Sequence, residues 1–169
     1  FGKSPIKNGT QGISTNNNEG DYFVSTLNVR LLDGKPNNSL YRWGKLTPAD
    51  AYTGTLTSKK FKVTHDYITF LISGGYHPGE TVLNFMVDGK VVRTRTGDQD
   101  DKMITRFFDV RDFIGKNAVL QIIDNHQGVW GNLAVDHIIF TDKKPSKLSL
   151  EQLEGYGSMA WSVLNPSDQ

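Results

Sequence analysis

The sequence predicts an all-β, jelly-roll-like sandwich with short helical turns. Turn signals recur at short intervals, and the runs between them are short and alternate apolar with polar residues, the pattern of a sandwich or barrel. Between two of these runs stands Asp88-Gly89, a dipeptide suited to a two-residue type I′ hairpin. At 169 residues, 37% hydrophobic and 11% aromatic, the chain is long enough to bury a real core in one domain. The expected division is a sandwich over 1–144 and a C-terminal tail over 145–169.

Segment 1–50 is rich in Asn, Gly, Ser and Lys, with isolated aromatics at Tyr22, Phe23, Tyr41 and Trp43. It reads as one or two strands joined by long loops. Expected strands then follow at 54–58, 67–73, 81–87, 90–96, 104–109, 118–124 and 133–140. Segment 110–116 reads as a short helical or tight turn ended by Gly115. In the tail, Ser149 and Gln152 have capping-box spacing, and Gly155 ends the turn they would start. Segment 156–164 is a candidate last strand that completes the sandwich.

Net charge is +1, which argues against a nucleic-acid partner, because such proteins carry a basic stripe. No run of about 18 apolar residues is present, so no membrane helix is expected. The absence of cysteine excludes disulfides and thiol chemistry. The opening Phe1-Gly2-Lys3 reads as the start of a fragment or of a chain whose leader was removed.

Two loops hold the candidate binding residues. In the first, an apolar run breaks at Gly74-Gly75 and continues into Tyr76-His77-Pro78-Gly79. Paired glycines allow positive φ and a close approach of backbone to a ligand, and loops at strand ends commonly carry binding residues. The second runs Asp124-Asn125-His126-Gln127-Gly128-Val129-Trp130-Gly131. An aromatic face beside planar bidentate groups suits a sugar, which has apolar C–H faces and hydroxyl rims. The alternative is that Trp130 plugs one end of the sandwich while Asp124 and Asn125 cap the turn. With strict alternation, Arg93 shares a face with Val91 and Arg95. It is then either a solvated charge or a donor fork for hydroxyls. Asp136 interrupts the last apolar strand on the face of Ala134, Ile138 and Phe140. A carboxylate there needs donors or a metal, and structural calcium and backbone N–H groups are the two readings. The four histidines (His65, His77, His126, His137) show no zinc-type spacing, and no hydrolase, phosphate-loop or dinucleotide motif is present.

Several segments recur in a familiar order: 52–58, 70–75, His77-Pro78-Gly79, 87–93, Asp124, Gly128, Trp130-Gly131 and Val135-Asp136. In these the chain resembles the levan-binding accessory sandwich, carbohydrate-binding module family 66, of levanases and related fructan hydrolases of glycoside hydrolase family 32. Segment 16–50 is longer than in that family, with an insertion around 30–49, and Tyr76 stands where the family has Asn. The catalytic Trp-x-Asn-Asp-Pro-Asn-Gly motif of those hydrolases is missing. The resemblance therefore implies a secreted, non-catalytic module that binds fructan, such as the terminal fructose of levan, for a linked catalytic domain. The expected sugar contacts are Tyr76, His77, Arg93, Asp124, Asn125 and Trp130. A structural sandwich packing on a catalytic neighbour and an unrecognised glycoside hydrolase are the rival readings.

Overall fold

The computed structural model describes residues 6–7, 17–26 and 53–145. The expected tail helix and strand, and the insertion around 30–49, lie outside these residues. The architecture is an all-β sandwich of two antiparallel sheets. Its strands are β1 (Ile6–Lys7), β2 (Tyr22–Ser25), β3 (Gly54–Thr57), β4 (Phe61–Lys62), β5 (Tyr67–Gly74), β6 (Thr81–Val87), β7 (Lys90–Arg95), β8 (Asp100–Asp109), β9 (Asn117–Asp124) and β10 (Leu133–Thr141). One sheet has the order β1-β2-β10-β5-β8; the other runs β3-β9-β6-β7, with β4 also paired to β9.

Alternation explains the core. Along β5, Ile68, Phe70 and Ile72 face inward; across from them, Leu83, Phe85 and Val87 of β6 pair in register with Ile122, Leu120 and Ala118 of β9. Phe70 and Phe108 lie 4.8 Å apart between ring centroids. The outer face of β5 contributes Leu71 to a smaller cluster with Phe23, Met103 and Ala134. The Asp88-Gly89 turn forms as expected. Both residues take positive φ, +50° and +76°, as a type I′ turn requires, and Val87 pairs with Lys90. A 3-10 turn at Arg111–Phe113 follows β8, and Gly115, at φ +83°, ends the segment.

Two bulges overturn the strict alternation expected from sequence. In β7 the register moves between Phe85 and Met86, so Phe85 faces Arg93 while Met86 faces Val91. Val92 is the extra residue. Arg93 and Arg95 therefore share the inner face of Phe85 and Leu83, and Val91 points the other way. In β10 the register shifts between Asp136 and Ile139. Asp136 lies opposite Leu71 on the outer face, whereas Phe140 lies opposite Ile68 on the inner one. Asp136 and Phe140 do not share a face.

Candidate functional site at one end of the sandwich

The two glycine-containing loops meet at one end of the molecule. The Gly75 N–H donates to Asn132 O at 2.9 Å, and the Asn125 N–H donates to Glu80 O at 2.8 Å. The paired glycines serve this contact. A Cβ at Gly74 would lie 2.4 Å from Asn132 O, and one at Gly75 would lie 1.9 Å from Trp130 O. The approach read from sequence as ligand to backbone is loop to loop. Thr96 joins the same knot: its Oγ1 donates to Gly75 O at 2.8 Å and accepts the His77 N–H at 3.2 Å.

A Pro-Gly turn shapes the first loop. The Glu80 N–H donates to His77 O at 3.0 Å, and Gly79 has φ +84°. Pro at the second position and a positive-φ glycine at the third are the signature of a type II turn. That turn places His77 and Glu80 side by side. His126, from the second loop, stacks on His77 with centroids 3.6 Å apart and planes 13° from parallel. Its Nδ1 lies 2.5 Å from Glu80 Oε2, while a Cβ at Gly128 would lie 2.6 Å from its Nε2. At the edge of the other ring, His77 Nε2 makes a 3.2 Å contact with Val129 O. One nitrogen or oxygen from each of His77, Glu80 and His126 falls within 4.8 Å of the others, the one such group of potential metal ligands among the described residues. Sequence spacing concealed it, because 49 positions separate the two histidines. The only local signal was His77-Pro78-Gly79-Glu80.

The expected sugar-binding residues divide. Tyr76 is 48% exposed, as is Val129 at 50%, so both present apolar surface beside the histidine stack. Asn125 is exposed and Trp130 half-buried. Trp130 adopts φ +63°, an uncommon conformation for a non-glycine residue and one that concentrates at functional sites. Asp124 is fully buried, and its Oδ1 accepts the His126 N–H at 3.2 Å. It holds the second loop from beneath.

Arg93 does not join this mouth. The β7 bulge turns it inward, where Nε donates to Asp109 O at 3.0 Å and Nη1 to Val92 O at 2.9 Å. Its guanidinium also lies 5.2 Å from the Phe113 ring centroid. Its cross-strand partner Phe85 is four residues from Thr81, roughly 13 Å along the strand. The arginines beside the loop end are Arg95 and Arg106. Both are buried, and both bond Asp98, at 3.3 Å and 2.9 Å. Sequence reasoning missed this trio because charges on strands read as solvated. Asp136, the calcium candidate, accepts the Glu19 N–H at 2.8 Å on Oδ2, which fits the backbone-donor reading.

Comparison with known proteins gives a narrow result. No family model matches the chain, and no solved structure matches it. The chain is 40% identical over 95 residues to "Putative glycosyl hydrolase ecdE" of Aspergillus rugulosus. The match takes in 56% of this chain and 14% of that protein, so the chain resembles a small part of a much longer one. Sequence likeness thus associates this β-sandwich with a protein described as a glycosyl hydrolase.

Proposed function

We propose that this sandwich is a non-catalytic carbohydrate-binding module, and that it holds a linked glycoside hydrolase at fructan, with terminal fructose of levan as the ligand. The observation that carries the reading is the pair of interlocked loops with Tyr76, Val129 and Asn125 exposed around the half-buried Trp130. Rings and aliphatic groups supply the apolar surface a sugar face needs, and the amide supplies paired donors and acceptors for its rim. The likeness to part of a much longer protein described as a glycosyl hydrolase supports an accessory role. Fructan as the ligand rests on the resemblance of 52–58, 70–75 and 87–93 to levan-binding modules.

The second reading is a structural sandwich, favoured by the internal bonds of Arg93 and Asp124. Calorimetry with levan, inulin and sucrose separates the two. Levan should bind, and Tyr76→Ala and Trp130→Ala should each weaken it at least tenfold, about 1.4 kcal/mol, with the circular dichroism spectrum unchanged. The isolated chain should release no reducing sugar from the three substrates. No heat with any of them, alongside binding to another glycan, overturns the fructan assignment. Silence on a broad glycan array overturns carbohydrate binding altogether.

A further inference from the structure

We propose that His77, Glu80 and His126 form a binding site for a divalent transition-metal ion of the zinc class. The donor set is two imidazoles and one carboxylate. Two nitrogens and an oxygen suit zinc and its neighbours, whereas calcium and magnesium take oxygen donors. Three protein ligands also leave a tetrahedral ion one open position.

The three donors are gathered in one place, with the two rings still stacked on each other rather than aimed at a common point. Ligand atoms around tetrahedral zinc stand roughly 3.3 Å apart, from bond lengths of about 2.0–2.1 Å. Here the three lie within 4.8 Å of one another, and His77 and His126 are half-buried while Glu80 is exposed. Binding requires the stack to open by rotation about the histidine side-chain torsions, which none of the core clusters opposes because His77, Glu80 and His126 lie outside them. The contact between His126 Nδ1 and Glu80 Oε2, 2.5 Å apart, is the one the ion would replace. Because metal-binding imidazole must be neutral and the carboxylate ionised, binding releases protons and strengthens as pH rises.

The backbone is already fixed for the task. The type II turn holds His77 beside Glu80, and the Asn125 N–H to Glu80 O bond ties the His126 loop to that turn. A ring-nitrogen contact orients one histidine as well: His77 Nε2 lies 3.2 Å from Val129 O. Such outer contacts commonly orient metal-binding histidines. An ion here would pin the two loops that carry Tyr76 and Trp130. The site stands on its own donor set, and its test needs no sugar.

The test is titration of tag-free, chelator-treated chain with zinc, followed by calorimetry and by visible absorption with cobalt in its place. One zinc should bind per chain with a rise in melting temperature, and cobalt should give the intense visible bands of a low-coordinate nitrogen–oxygen site. Calcium should produce neither effect. His77→Ala and His126→Ala should each weaken zinc at least tenfold, and Glu80→Gln should weaken it while leaving the fold intact, since that side chain is exposed. The double variant His65→Ala/His137→Ala should bind as the parent does. With no cysteine in the chain, no thiol competes for the ion. Failure to saturate, or affinity unchanged by His126→Ala and Glu80→Gln, overturns the proposal.

Discussion

A methyl group added at Gly75 would sit 1.9 Å from the Trp130 carbonyl oxygen, far inside any allowed contact. The obstacle is backbone, which cannot swing aside as a side chain can. Gly75→Ala should therefore destabilise the domain by about 1–3 kcal/mol, as overpacking does. Denaturant melts read the loss, and the separation of the two loops should appear as altered chemical shifts around Asn132. A variant as stable as the parent would mean the loops are not locked as described. The glycine pair was visible in the sequence as a place of close approach. What approaches was not, because the partner lies more than fifty positions downstream and no local pattern names it. The same holds for His126, whose ring stacks on His77 from a loop 49 positions downstream.

Elements were more legible than residues. The expected segments 54–58, 67–73, 81–87, 90–96, 118–124 and 133–140 correspond to β3, β5, β6, β7, β9 and β10 within a residue or so at each end, because alternation and turn chemistry agree there. β8 starts four residues earlier than expected, at Asp100, where polar residues mask a strand that pairs with Gly74. The bulges were invisible, since one inserted residue leaves composition untouched while reversing every later side chain. They are why Arg93 turned inward and Asp136 parted from Phe140. The end of β8 also carries the clearest electrostatic feature. Burial raises the Asp109 carboxyl, but the Arg111 side-chain and backbone hydrogen bonds and the charges of Arg111 and Arg93 outweigh it, leaving its pKa below the usual carboxylate value. A depressed folded pKa contributes stability that is present above the unfolded pKa and lost as pH falls through the folded one. Thermal melts should therefore show an acid limb below about pH 4, the ordinary aspartate range. Asp109→Asn should flatten that limb while leaving its slope near neutral pH unchanged. An unaltered limb would remove Asp109 from its cause.

At the scale of the molecule, a two-sheet sandwich has to deal with its open sides, and here one side is closed by charge. β7 ends one sheet and β8 ends the other. Arg95 lies opposite Leu83 and Arg106 opposite Phe70, both of them core positions. The two guanidiniums, 6% and 5% exposed, turn into the gap between the sheets and share Asp98, which is 27% exposed. Asp98 sits on the segment joining β7 to β8, just past Gly97, whose close packing on Gly74 leaves no room for a Cβ. One carboxylate thus links both sheets to the loop end where the candidate site stands. Removing one partner of a buried ionic group leaves charge without its counterion, which costs more than the pair itself contributes. Asp98→Asn keeps the shape but removes the negative charge that the two buried guanidiniums share, and should cost about 3 kcal/mol, the low end of the range for such losses, because Asp98 keeps some contact with water. Replacing Arg95 and Arg106 with methionine in that background should recover much of the loss, since the two buried positive charges that Asp98 balanced are then gone. Urea melts of the parent, the single and the triple variant read this directly. A triple variant less stable than Asp98→Asn alone would mean that the arginines hold the edge by their own packing and backbone bonds rather than through Asp98.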